Sequence, residues 1–325
     1  GIPRGSGLLV IHIGSPKTGT TALQGFLKSH LPALRSRGLS YVAAGRTNIA
    51  HNSMVQPMLK GRAGDMVSAL REEIAAAPDM VHVLSSEVFF QPAMAPRLAE
   101  AVDGLCRDLR VVAYLRRPDR YAEAMYKQKV KNGRIPPDPS AFLEGWAANL
   151  RYMPVIDAYR EVFGEQALRV RPFRRSHFPQ GDVIADFAEQ IGGVDLSGLA
   201  RPDTPSNKTL SRAVSEHLGR VNRHTPFNSR VMIREIAAEA TPGTLRGGDV
   251  FDKHTRARIM ENCAQDLASV SAACFDGARE PFDLSDLEPD APDPFPGPEE
   301  ALRLERAAAE AVMAALGRQA AKPEE

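Results

Sequence analysis

The residues with the types and spacing to do chemistry fall in three short runs and one loop. Gly14-Ser15-Pro16-Lys17-Thr18-Gly19-Thr20-Thr21 places a lysine inside a turn bounded by two glycines and followed by hydroxyls. Ser85-Ser86-Glu87 closes an apolar run with a carboxylate, and Arg116-Arg117-Pro118 closes another with two guanidinium groups. His51 stands in a polar, glycine-marked stretch over residues 45–64. A lysine among glycines and hydroxyls neutralises an anion, a carboxylate or imidazole takes up a proton, and an arginine holds a second anion by charge-assisted hydrogen bonds.

Regular elements must bring these groups together. Residues 8–13, Leu-Leu-Val-Ile-His-Ile, form an apolar and partly β-branched run of the kind that makes a buried parallel strand. From Thr20 to Lys28 the pattern is that of a helix. Strand, glycine turn and helix N-terminus together present main-chain N–H groups to one point, and the positive end of the helix dipole reinforces them.

The position of the lysine separates kinds of anion. A nucleoside-triphosphatase loop reads Gly-x-x-x-x-Gly-Lys-[Ser/Thr], with the lysine directly after the second glycine. Gly14 and Gly19 have that spacing, but Thr20 occupies the lysine position and the lysine lies inside the loop, at Lys17. Residues 16–23, Pro-Lys-Thr-Gly-Thr-Thr-Ala-Leu, resemble the 5′-phosphosulfate loop of the sulfotransferases that use 3′-phosphoadenosine 5′-phosphosulfate (PAPS). A sulfuryl group carries less negative charge than a γ-phosphoryl, so a lysine and oriented amides could neutralise the leaving phosphate without a metal. Arg116 and Pro118 resemble the same family's 3′-phosphate signature, arginine with proline two positions later and serine eight later; Ala124 stands at the serine position. Asn207-Lys208-Thr209-Leu210-Ser211 resembles a segment of bacterial sulfotransferase-like proteins, and Lys208 and Arg212 are candidates to replace the hydroxyl that Ala124 does not provide.

The resemblance implies PAPS as donor, PAP as product and no metal. Lys17 would meet the 5′-phosphosulfate and the bridging oxygen on which charge develops. Ser15, Pro16, Thr18, Gly19, Thr20 and Thr21 would complete the 5′ cradle, and Arg116, with Lys208, would hold the 3′-phosphate. Glu87 is the first candidate for the base, following a strand where related enzymes carry a catalytic His or Glu; His51 is the second. The acceptor would be a hydroxyl or amine, on a glycan or glycolipid by analogy with the bacterial carbohydrate enzymes. Two other readings compete: a small-molecule kinase using ATP and magnesium, and a nucleotide-binding protein without catalysis.

Strands expected over 39–42, 80–84, 109–115 and 167–173 alternate with helices over 65–77, 96–105, 120–132 and 182–191. Asp119 is expected as the N-cap of the helix that follows Arg116. The implied fold is α/β, a central parallel sheet of the phosphate-loop type flanked by helices, with a helical C-terminal part. Residues 8–200 would form the PAPS-binding core, and 201–280 a helical part completing the same domain, with helices over 210–223, 230–239 and 254–275. Residues 281–298, with six prolines, would be a linker, and 299–325 a C-terminal helix and tail that docks on the body.

In the 325 residues, 41 Lys and Arg stand against 40 Asp and Glu, so no global field argues for nucleic acid or an anionic membrane. Cys106, Cys263 and Cys274 lack metal-ligand spacing and are odd in number, which fits a reducing compartment. No run of about 20 apolar residues is present to span a bilayer. These features predict a soluble, cytoplasmic protein.

Overall fold

The computed structural model describes residues 7–134, 138–192, 194–202, 210–227, 229–239, 244–245 and 247–322. Along the chain the elements begin β1 (Leu8–Gly14), α1 (Thr20–Ser29), α2 (Leu31–Ser36), β2 (Leu39–Tyr41), α3 (Val55–Leu59) and α4 (Gly64–Ala75). They continue with β3 (Val81–Ser85), α5 (Met94–Val102), β4 (Asp108–Leu115), α6 (Pro118–Lys131), α7 (Pro139–Glu144), α8 (Met153–Phe163) and β5 (Leu168–Pro172). The remainder is helical: α9 (Val183–Ile191), α10 (Arg212–His224), α11 (Ser229–Glu239), α12 (Lys253–Cys274) and α13 (Pro298–Ala320). The chain divides into two compact units. One takes Gly1–Arg117, Arg151–Thr204 and Gln265–Asp283, the other Pro118–Leu150, Pro205–Ala264 and Leu284–Glu325.

The first unit contains a five-stranded sheet in the order β2-β3-β1-β4-β5, with every pairing parallel. All seven residues of β1 are buried, which explains why its sequence is a continuous apolar run instead of an alternation. Its side chains divide by parity. Leu9, Ile11 and Ile13 enter one core with residues of α3, α4, α5 and α8, while Leu8 and Val10 enter another with α1, α2 and α9. Helices therefore cover both faces of the sheet, an α/β arrangement.

Because the strands are parallel, their carboxyl ends lie along one edge. The order places β3 and β4 on either side of β1, although neither is its neighbour in sequence. Such a reversal opens a crevice beyond the carboxyl ends of the strands. Gly14, Ser85 and Leu115, the last residues of β1, β3 and β4, border it.

The second unit is helical. Leu210, Val214, Leu218 and Val221 of the α10 region pack with Met232 and Ile236 of α11 and with Ala308, Val312 and Ala315 of α13, so the C-terminal helix docks through its small apolar stripe. At α6 the structure corrects one expectation. The helix begins at Pro118, and Asp119 is not its N-cap. The Asp119 carboxylate is buried and accepts from Arg256 at 3.1 Å. Arg256, itself fully buried, also pairs with Glu123 and, at 2.9 Å, with Asp249. A buried guanidinium needs such partners, and their pull takes precedence over capping.

Candidate functional site

The glycine turn after β1 is tight because two of its residues have no side chain. Gly14 has φ +96°, and a Cβ there would come within 3.1 Å of the Glu87 Cα. Gly19 has φ +74°, with Val183 and Phe173 against it. Between them Lys17 adopts φ 66°, the left-handed region that non-glycine residues seldom occupy. The turn is braced internally by the Thr18 hydroxyl, which donates to the Ser15 carbonyl at 2.6 Å, and against β4 by the Ser15 N–H, which donates to the Tyr114 carbonyl at 2.7 Å.

Beyond the turn, α1 starts at Thr20. Helix geometry leaves the first N–H groups without intrahelical acceptors. Gly19 offers no side chain to cap them, and no acidic residue lies in the first turn. Ser15 is fully buried, and its Oγ has no hydrogen-bond partner among the described residues. Lys17 is exposed to solvent. Loss of hydration holds its ammonium below the ordinary lysine value; the Glu87 carboxylate opposes that shift and the Arg116 guanidinium adds to it. Exposed lysine, uncapped helix start and buried unpartnered hydroxyl make a loop whose donors fit an anion.

Glu87, half-buried, sits in a single helical turn just past β3, and its Oε2 accepts from the Thr20 hydroxyl at 2.8 Å. Several partners set this turn. The Ser86 Oγ accepts from the Val88 N–H at 3.1 Å and donates to Asn52 Oδ1 at 2.6 Å, and the Tyr159 hydroxyl donates to the Phe89 carbonyl at 2.6 Å. On the other side of β1, Arg116 follows β4 directly. Its Nη1 donates to the Lys17 carbonyl at 2.9 Å, and its own carbonyl accepts from the Tyr152 hydroxyl at 2.7 Å.

The structure thus brings Ser15, Pro16, Lys17, Thr18, Gly19, Thr20, Thr21, Glu87 and Arg116 to one strand edge. His51 is held apart from the loop. It is fully buried, its Nε2 donates to the Val42 carbonyl at 2.8 Å, and its Nδ1 accepts from the Ser85 N–H at 3.0 Å. Burial lowers its pKa to about 4, so it is a neutral brace behind the turn that carries Glu87. Lys208 lies outside the described residues. In the second unit the Arg212 guanidinium pairs with Glu216 at 2.7 Å, Ala124 is half-buried on α6, and Trp146 stacks on Phe142.

Two features are not apparent from the sequence. His12 and Ser85 face each other in the β1–β3 register, with His12 Nδ1 2.7 Å from Ser85 Oγ and Gln24 donating to that Oγ at 2.9 Å. Burial pushes the His12 pKa down to about 3, so this polar link beneath the loop is uncharged. Its signal is a histidine and a serine inside otherwise apolar strands. The second feature is the end of β5, where the Phe173 ring approaches Gly19 and the exposed Arg175 stacks over that ring at 5.4 Å. Its signal is the same as at Arg116, arginines that follow soon after a strand.

Among the described residues no group of three or more His, Cys, Asp or Glu is arranged to hold a metal, and no helix is long and apolar enough to cross a membrane. No family model matches the chain. An uncharacterized protein of Archaeoglobus fulgidus is 29% identical over 113 residues, 35% of this chain. The match spans 30% of that relative's length. A sulfotransferase structure from Alicyclobacillus acidocaldarius aligns at 15% identity and a TM-score of 0.41, over 84% of this chain and 99% of that one. An overlap of that extent assigns no residue and no activity to this chain.

Proposed function

We propose that this chain is a PAPS-dependent sulfotransferase, moving a sulfuryl group to a hydroxyl or amine of a glycan or glycolipid. One observation carries the reading: an exposed lysine inside an anion-type loop is flanked, on adjoining strand ends, by a carboxylate on Thr20 and a guanidinium on the Lys17 carbonyl. A nucleoside-triphosphatase loop would have a lysine where Thr20 is bonded to Glu87. The motif resemblance at residues 16–23 and at Arg116-Arg117-Pro118 supports the same donor.

When bound, PAPS supplies an activated sulfuryl group with PAP as its leaving group. The first-turn amides of α1, with the hydroxyls of Ser15, Thr20 and Thr21, hold the 5′-phosphate in this reading. Lys17 Nζ would stabilise the charge that develops on the leaving group during transfer. Glu87 accepts the proton that the acceptor group loses as its new bond to sulfur forms. Arg116 fixes the shape of the loop and contributes to the 3′-phosphate. The Nη1 contact to the Lys17 carbonyl makes the first of these roles concrete.

The test offers radiolabelled PAPS with a panel of glycans, glycolipids and phenols to the wild type and to Lys17→Ala. Removal of one transition-state donor lowers transfer by roughly 10²–10³. Near-normal transfer by a folded Lys17→Ala protein would remove Lys17 from the reaction.

A further inference from the structure

Thr20 and Glu87 are bonded to each other, yet the proposed reaction asks different things of each. The Thr20 hydroxyl has one proton to donate, and it is directed to Glu87 Oε2 at 2.8 Å. The same residue opens α1, where an anion on the uncapped amides would lie beside that hydroxyl. Thr20 is 4% exposed, so few alternative partners are open to its hydroxyl while it is bonded to Glu87. The Glu87 main chain is held in place, since it lies against Gly14 and its turn is pinned by Asn52 and Tyr159, so its carboxylate can reorient only about its own side-chain bonds.

We infer that Thr20 is a positioning residue that couples the two halves of the site: an anion bound in the loop takes the Thr20 hydroxyl, and Glu87 Oε2 is thereby released to receive the acceptor's proton. The inference rests on the sulfotransferase reading. Before the donor arrives, the carboxylate oxygen is occupied by Thr20. Once a phosphate oxygen accepts the hydroxyl, the carboxylate has lost its protein donor and turns to the acceptor group. The exchange makes and breaks hydrogen bonds only, and its consequence is an order of events, donor first and base second. A carboxylate and an anion competing for one proton must also weaken each other's hold on it, a reciprocity required by linkage.

The competition is measurable as a double-mutant cycle on PAP binding. Calorimetric titrations with PAP compare wild type, Thr20→Val, Glu87→Ala and the double variant, each checked for folding by thermal denaturation. Glu87→Ala should tighten PAP several-fold in the wild-type background and by at least about threefold less in the Thr20→Val background, where no hydroxyl is contested. Thr20→Ser, which keeps the hydroxyl, should restore the difference. Glu87→Gln, a weaker acceptor in the same shape, should shift binding in the same direction by less and replaces Glu87→Ala if that protein does not fold. Equal effects of the Glu87 change in both backgrounds would mean that only its charge is felt, and would overturn the coupling while leaving the donor assignment intact. No binding of PAP to the wild type would overturn both.

Discussion

Arg116 Nη1 donates to the main-chain carbonyl of Lys17 at 2.9 Å, joining the end of β4 to the middle of the loop that follows β1. A guanidinium in this position does two things. It fixes the carbonyl of Lys17, a residue with φ 66°, and it sets a positive charge beside the ammonium. The arginine therefore braces the loop whether or not it also meets the 3′-phosphate of the proposed donor.

That dual role sharpens the expected behaviour of Arg116→Ala. If the loop is the proposed 5′ cradle, loosening it weakens every ligand held there, including adenosine 5′-phosphosulfate, which lacks a 3′-phosphate. Removing a charge-assisted bond to the 3′-phosphate, roughly 1.5–3 kcal/mol, adds a further tenfold or more for PAP alone. Calorimetry with the two ligands separates the effects. Equal losses would leave Arg116 acting only through the Lys17 carbonyl.

In the proposed reaction Lys17 sets an alkaline limit. Its pKa is lowered by reduced hydration and by Arg116, against the pull of Glu87. A donor must be protonated, so kcat/KM for the sulfuryl donor should fall as pH rises through a value below the ordinary 10.5. Arg116→Ala, which removes a neighbouring positive charge, should move that limb upward. A limb that stays in place would separate the descending arm from Lys17.

His51 sets an acid limit on stability. Its folded pKa, about 4, lies below its unfolded value of 6.5, so between the two the unfolded chain binds more protons. Its contribution is fully present above about 6.5 and is lost as pH falls through the folded value. The drop from 6.5 to about 4 corresponds to roughly 3 kcal/mol. His12, lowered by burial to about 3, adds a loss of the same sign. Thermal denaturation across this pH range should show the decline, and His51→Gln, which cannot take up the proton, should be less stable at neutral pH but flatter toward acid. An unchanged slope would place the acid sensitivity elsewhere.

The parallel sheet was legible because its central strands are largely buried and read as mostly apolar runs, as β1 does around His12 and β4 does from Val111 to Leu115. The strand-end residues Lys17, Glu87 and Arg116 were legible because polar residues stop those runs abruptly. His51 misled: a histidine in a polar stretch looks solvated, and only tertiary packing reveals two main-chain partners in a buried site. Asp119 misled through local chemistry, since Arg256, distant in sequence, recruits it away from the cap. The short helices α2 and α3 were hidden because six and five residues are too few for the 3.6-residue period to repeat.

The most direct test of the donor assignment is a competition titration of the wild-type protein in EDTA and again with magnesium, using PAP against ATP. A sulfotransferase site predicts that PAP binds equally well under both conditions and that ATP–magnesium leaves it in place. Binding of ATP that requires magnesium, with no binding of PAP, would contradict that assignment and point to phosphoryl transfer.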